Sequence, residues 1–301
     1  MSHLETFLQQ LINGLTIGMI YALIALGYTM VYGIISLINF AHGEIFITGA
    51  FFGLAVLALF PHALQLNSVF ILVLTFGAAM IGCGLLGVAI ERIAYRPLRK
   101  APRLACLITA IGISFILQNV LMLIWGPADK SFPAFFKHSA LTIGTLRVTF
   151  MQGFIIVTSL VMMIALRFFV TRTMLGKALR ATSEDMTAAR LMGINVDRVI
   201  SICFLIGSAL GGAGGVMYGM YYNTISFHDG YLVGIKAFTA AVLGGIGNVP
   251  GAMLGWIALG MLEGLGAGYL SSAWKNVFAF LILVILLLCW PSGILRKSRN
   301  E

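Results

Sequence analysis

Ile34 to Thr48 reads I-I-S-L-I-N-F-A-H-G-E-I-F-I-T, which sets an amide, an imidazole and a carboxyl group (Asn39, His42, Glu44) in an otherwise apolar stretch. Ionisable groups are expensive at membrane depth, so they face a cavity or each other. Two readings stand side by side. In one, Asn39 caps a half-helix whose free N–H groups point toward a carboxylate, and Asn39, His42, Gly43 and Glu44 line a polar path. In the other, Asn39 caps the following helix, and His42 and Glu44 pair within it. A second unusual segment, Gly244 to Gly255, reads G-G-I-G-N-V-P-G-A-M-L-G. Pro250 breaks a helix interior and pushes Val249 toward extended backbone. Paired interrupted segments in the two halves of a chain point to a transport path. Gly244, Gly245, Gly247, Asn248 and Pro250 are therefore the candidates on the second side, although no residue-level repeat relates the halves.

The polar stretch from Thr171 to Arg198 carries a third set of signals. Thr182 reads as a helix N-cap, and Asp185 three residues on completes a pair resembling a capping box. Glu184 and Asp185 place negative charge at the positive end of the helix dipole. Arg190 falls in the last turn, and Gly193 supplies the left-handed residue that ends a helix. A loop that only joined two spans would not need a capped helix from Glu184 to Gly193. The stretch reads as a docking element for a soluble partner, against the plainer reading of an ordinary positive loop.

Other chemistries are excluded. No G-x-x-x-x-G-K-[ST] string is present, so the chain has no phosphate loop of its own. Gly244–Gly251 lacks the βαβ unit of a dinucleotide site. No Ser/His/Asp set, paired acids or metal-ligand cluster occurs, and the reading is not an enzyme. Cys83, Cys106, Cys203 and Cys289 lie far apart in apolar sequence and read as inert core residues. Gln118, Asn119 and Glu263 read as interhelical hydrogen-bonding groups, and the four tryptophans mostly as interface anchors.

The elements that position these residues follow from composition. The chain is 60% hydrophobic and 10% charged, whereas soluble domains carry about a quarter charged residues. So few charges cannot cover a water-facing surface. Non-alternating apolar runs of about 20 residues mean membrane-spanning helices rather than barrel strands. The fold expected is all-α: one polytopic transmembrane bundle over residues 1–301. The 35 glycines suit close helix packing, notably Gly211, Gly212, Gly214 and Gly215 in one run and Gly251, Gly255 and Gly260 in another. Spans are expected near Phe7–Tyr28, Ala41–Phe60, Ser68–Ile90, Leu104–Trp125, Phe150–Phe169, Val199–Tyr222, Ala252–Leu270 and Asn276–Trp290. Phe7 to Phe40 would be about 51 Å of helix, too long for one crossing of a ~30 Å core, so the helix must break between Gly33 and Asn39.

Fourteen of the 19 Lys and Arg fall in three groups: Arg92–Arg103, Arg167–Arg198 and Arg296–Arg299. Such loops face the cytoplasm, which explains the high pI without a nucleic acid. No Lys or Arg precedes Arg92. The start therefore reads as lying outside, and not as a cleavable signal. Eight crossings would leave the basic C-terminus outside. Tyr231–Gly247, apolar but interrupted by Lys236, supplies a possible ninth, so the expectation is eight or nine spans with a cytoplasmic C-terminus.

Several long strings resemble one family. They are Val31–Glu44 (V-Y-G-I-I-S-L-I-N-F-A-H-G-E), Ile90–Arg99 (I-E-R-I-A-Y-R-P-L-R), Gly176–Asp185 (G-K-A-L-R-A-T-S-E-D), Ala188–Asn195 (A-A-R-L-M-G-I-N) and Lys236–Ala252 (K-A-F-T-A-A-V-L-G-G-I-G-N-V-P-G-A). In this order the chain resembles the permease subunits of branched-chain amino acid ATP-binding-cassette importers over nearly its whole length. The resemblance implies a subunit of a bacterial inner-membrane importer. Its partners would be a second, similar permease, two cytosolic ATPases that bind and hydrolyse the ATP, and a periplasmic binding protein, all in the lipid bilayer. The substrate implied is leucine, isoleucine or valine, and related permeases carry urea or amides. The resemblance also implies that A-A-x-x-x-G at Ala188, Ala189 and Gly193 is a helix inserting into an ATPase cleft, with Arg180, Glu184 and Asp185 beside it. Two rivals stand on the residues alone. One is an ion-coupled secondary transporter using Glu44 or Glu263, and the other is a membrane scaffold that moves no solute.

Overall fold

In a computed structural model, the chain is described for residues 3–35, 39–60, 68–99, 101–135, 140–143, 146–244 and 249–269. Residues 274, 276–277, 280–281, 284–285 and 288 are described singly or in pairs. Helix α1 (His3–Ile35) is followed by α2 (His42–Leu59) and α3 (Ser68–Ile90). A π-helical turn, Glu91–Tyr95, and one further turn, Arg96–Leu98, continue α3. Then come α4 (Arg103–Trp125), α5 (Phe150–Arg172), α6 (Met174–Glu184), α7 (Met186–Leu191), α8 (Val196–Tyr222), α9 (Asp229–Gly244) and α10 (Val249–Tyr269). Six of the described helices are long and apolar enough to cross a membrane: α1, α2, α3 with its continuation, α4, α5 and α8. The chain is a multi-pass membrane protein of the all-α class, built mainly of helices. The described part of the expected span Ala252–Leu270 falls on α10, and that of Tyr231–Gly247, up to Gly244, falls on α9. Asn276–Trp290 lies mostly outside the described residues.

Burial divides the six into an inner and an outer set. The most apolar windows of α1, α2 and α8 are 89%, 72% and 72% buried, against 33%, 17% and 22% for α3, α4 and α5. The inner helices meet through glycine, as close packing in lipid requires. A Cβ at Gly14 would stand 2.7 Å from the Gly260 carbonyl oxygen, and one at Gly18 3.0 Å from that of Trp256, so α1 and α10 touch backbone to backbone. Gly212 of α8 likewise presses on the Ala79 carbonyl of α3, and Gly207 on Gly27 of α1. Trp256 is not an interface anchor. It is fully buried in mid-helix, 5.3 Å from the Tyr21 ring, because the glycines around it bring α1 within reach.

Four short strands mark one end of the bundle. β1 (Lys130–Ser131) pairs antiparallel with β4 (Thr224–Ile225), and β2 (Ala140–Ile143) forms a hairpin with β3 (Leu146–Thr149). Gln9 of α1 exchanges two 3.0 Å bonds with the Arg147 backbone, and Gln152 donates to Asn13 at 2.9 Å. The N-terminus of α1, the strands and the C-terminal end of α8 therefore share one end. The π-helical turn, α6, α7 and the start of α8 share the other, joined by Arg96 and Arg99 to Asp197. The described residues of two of the three basic clusters thus lie at one end, opposite the four strands.

Candidate functional site

α1 runs unbroken for 33 residues, His3–Ile35, so its length does not force a break as expected; residues 39–41 lie outside both helices, and α2 begins at His42. Asn39 is buried, but it is not the N-cap of α2. That position is Ala41, which offers no side-chain cap. Asn39 Oδ1 instead accepts from the Ala41 backbone N–H at 3.1 Å and from the Tyr95 hydroxyl at 2.9 Å. The amide thus ties the entry to α2 to the π-helical turn that continues α3. A π turn carries one residue more than an α turn, which re-aims the side chains that follow it.

His42 and Glu44 do not pair. The His42 ring lies edge-on to Tyr28, with centroids 4.8 Å apart. It fills a slot between Gly27 of α1 and Gly211 of α8, where a Cβ at Gly211 would stand 3.5 Å from Nε2. Glu44 is also buried. Its Oε1 accepts from the Ser114 hydroxyl of α4 at 3.2 Å, while Oε2 has no partner among the described residues. Gly43 packs on Gly230 and Gly234, where any Cβ would strike α9 backbone. Helix α9 therefore passes α2 at contact distance, and Phe40 meets Phe238 with ring centroids 5.9 Å apart.

Beside this break lies a cleft of about 410 Å³ between α4 and α9. Its walls are largely apolar, from Phe40, Ile111, Phe115 and Ile235. Ser114, Gln118 and His228 supply the polar groups, and Gln118 Nε2 lies 2.9 Å from His228 Nδ1. Ser114 links the cleft to the Glu44 carboxyl behind it. A cleft with apolar walls and a few convergent polar groups suits a small solute with an apolar side chain. Ser114 and His228 escaped sequence reasoning. A serine in an apolar helix and a histidine after a strand carry no signal until α4 and α9 are brought together.

On the second side, α9 is described up to Gly244 and α10 from Val249. Pro250 sits in the first turn of α10, where its missing N–H is tolerated. Gly245, Gly247 and Asn248 lie outside the described residues. The two helices run as a hairpin entered from the strand end of the bundle, with Tyr269 reaching the His3 carbonyl at 3.4 Å. Lys236 and Glu263 hold it together through a 2.9 Å ion pair, both nearly inaccessible, and the ammonium lies 5.8 Å from the centre of the Tyr21 ring. Glu263 thus makes the interhelical bond expected of it. Asn119 does not, since its amide donates to Phe115 of its own helix. Cys83, Cys106 and Cys203 are buried and free, and Cys289 lies outside the described residues.

At the opposite end, Thr182 is not an N-cap. Thr173 starts a helix nine residues earlier by accepting from the Gly176 N–H, and the well-propagating run M-L-G-K-A-L-R-A carries it through Thr182 to Glu184. Asp185 is the cap. It is extended at φ −151°, ψ 112°, and its Oδ1 accepts from Thr187 N at 2.7 Å and Ala188 N at 3.0 Å. Helix α7 ends in a Schellman arrangement: Ile194 N–H bonds Ala189 O, Gly193 N–H bonds Arg190 O, and Gly193 takes φ +82°. Ala189 faces inward and is buried, while Arg180, Glu184 and Ala188 are exposed. Leu191 and Met192 stand 84% and 82% exposed at the tip, two bare apolar side chains on a charged loop.

A network joins this loop to the first break. Asn195, two residues after Gly193, caps α8 by accepting from Arg198 N at 3.1 Å. Asp197 then binds Arg96 and Arg99, Arg99 also binds the buried Glu91, and Ser201 donates to Glu91 at 2.7 Å. Glu91 opens the π turn, and Tyr95 closes it on Asn39.

The family described as the permease component of branched-chain amino acid transport systems matches residues 10–287. The chain is 44% identical over 300 residues to the high-affinity branched-chain amino acid transport system permease protein LivH of Salmonella typhimurium, covering 98% of this chain and 97% of that protein. It is 43% identical to the LivH of Escherichia coli K12 over 301 residues, with the same coverage. It is 44% identical to the corresponding protein BraD of Pseudomonas aeruginosa over 306 residues, covering 100% and 99%. No solved structure matches the chain. The chain, an apolar helical bundle with one capped helix held at its end and matched along nearly its whole length to such proteins, belongs to the permease-component family of branched-chain amino acid transport systems.

Proposed function

We propose that this chain is the permease subunit of an ATP-binding-cassette importer that carries branched-chain amino acids across a bacterial inner membrane. The observation that carries the reading is 43–44% identity over nearly the full length to permease proteins of such systems. The complete transporter pairs this chain with a second, similar permease, two cytosolic ATPases and a periplasmic binding protein, and ATP is bound and hydrolysed by the ATPases. Counting α9 and α10 as crossings and adding the helical positions between 276 and 288 makes nine spans. An odd number leaves the basic C-terminus on the same side as α7, as its charge requires.

The substrate route runs past the break at Asn39–Glu44 and the cleft beside it, with the Gly244–Pro250 break forming the facing side. Leucine needs polar groups for its ammonium and carboxylate, and apolar walls for its side chain. Glu44 Oε2, Ser114 and Gln118 supply the first, and Phe40, Ile111 and Ile235 the second. Docking of the ATPase falls to α7, with Leu191 and Met192 buried in its cleft.

The test is uptake of labelled leucine into proteoliposomes that hold the chain with its partner subunits and are supplied with binding protein outside. Uptake that needs internal ATP is the expected result. Uptake driven by a proton gradient without ATP would make the chain a secondary transporter. Uptake of urea or amides with none of leucine would move it to another branch of the family.

A further inference from the structure

At the α7 end of the bundle, a cavity of about 520 Å³ opens between the end of α3 and the start of α8. Arg92, Arg96 and Arg198 line it, with Asn195, Asp197 and Ser201. The carboxylate does not neutralise it. Asp197 is taken up by Arg96 through Oδ2 and Arg99 through Oδ1, and Glu91 by Arg99 and Ser201. Among the described residues, four guanidinium groups thus meet two carboxylates, leaving two positive charges in excess. The side chains of Arg92 and Arg198 have no partner among the described residues, and both are exposed to the cavity.

The surroundings say what kind of anion fits. The cavity lies where the α3 span ends and the α8 span begins, so its mouth stands at the membrane boundary. Its floor is apolar at Ile202, and one turn along α8 Leu205 is 40% exposed beside Gly84 of α3. Leu85, Ile81 and Ile93 continue the exposed apolar surface along α3. A pair of free arginines above an apolar groove matches a phosphodiester headgroup with acyl chains below it. Guanidinium groups bind such phosphates bidentately, and basic pockets between spans on the cytoplasmic side take anionic headgroups.

We propose that the Arg92–Arg96–Arg198 pocket binds the phosphate of an anionic phospholipid. The experiment is native mass spectrometry of the whole transporter extracted from bilayers of phosphatidylcholine containing phosphatidylglycerol. The wild type should retain phosphatidylglycerol over phosphatidylcholine. The double variant Arg92→Gln, Arg198→Gln should lose it by about tenfold or more, while Arg167→Gln, Arg172→Gln at the same end of the bundle should retain it. Equal retention in all three proteins overturns the proposal. So does a double variant that keeps the lipid but no longer co-purifies the ATPase, because the pocket is then a protein contact. Phosphorus NMR of the delipidated wild type separates the two sources of phosphate: binding of inorganic phosphate without retention of phosphatidylglycerol would make the ligand a soluble anion. If the double variant does not assemble, a photoactivatable phosphatidylglycerol on the wild type decides. Cross-links at Ile202–Leu205 support the site, and cross-links only elsewhere overturn it.

Discussion

Lys236 and Glu263 join α9 to α10 by a buried ion pair. Each lies in an apolar segment, and each is tolerable only because the other neutralises it. Lys236→Met leaves a buried carboxylate alone and should cost about 3–5 kcal/mol. The double variant Lys236→Met, Glu263→Leu should recover most of that. Thermal unfolding of the purified chain reads both, and an equal loss in single and double variants would show that the pair is not what holds the hairpin. Asn39→Leu is a second case. It removes the acceptor of two buried donors, Ala41 N–H and Tyr95 O–H, at about 1–3 kcal/mol for each donor left unpaired. Leucine uptake should be abolished while partners still co-purify. Uptake at the wild-type level would remove Asn39 from the route.

Much of this scale was legible in the sequence, and the failures are physical. Asn39, His42 and Glu44 announce themselves because ionisable and amide groups are rare in apolar runs. Their partners do not, because Tyr95 and Ser114 come from other helices and only tertiary packing selects them. Thr182 misleads for the opposite reason. It has the chemistry of a cap, but a cap needs extended backbone, and the run from Met174 onward keeps residue 182 helical.

At the scale of elements, α7 and the π turn carry the predictions. Gly193 has no neighbour within reach of a Cβ, so Gly193→Val meets no clash and suffers only the left-handed backbone, roughly 1–2 kcal/mol. The chain should still insert, but α7 should lose its end, and co-purification of the ATPase should fall with uptake. Unchanged docking would show that this helix is not the contact. Tyr95→Phe removes one hydroxyl from a buried ring and leaves Asn39 bonded to Ala41. The ATPase should still dock and hydrolyse ATP, with fewer leucines moved per ATP. An unchanged ratio would mean that the path from Asp197 through Arg99 and Glu91 to Tyr95 transmits nothing. Helix positions were readable from length and apolar runs, and so was the end of α7 at Gly193. The strands were not: segments of two to four residues lie below any periodic signal, and β1 pairs with β4 from the far side of α8.

For the whole molecule, charge and packing agree on two ends. The Arg92–Arg99 turn is bonded to the start of α8 through Asp197, while the strands sit with the N-terminus of α1. Single cysteines at Asp129 and Lys177, in a chain without its four native cysteines, should label from opposite faces of intact cells. Labelling of both from outside would invert or dissolve this arrangement. Whether the cleft beside Asn39–Glu44 takes substrate is tested most directly by a cysteine at Ser114. In the assembled transporter that cysteine should react with a water-soluble thiol reagent, and loading with leucine and ATP should change its rate. A cysteine at Ser114 that reacts with no aqueous reagent in any transport state would contradict the account, because a route that water never reaches carries no amino acid.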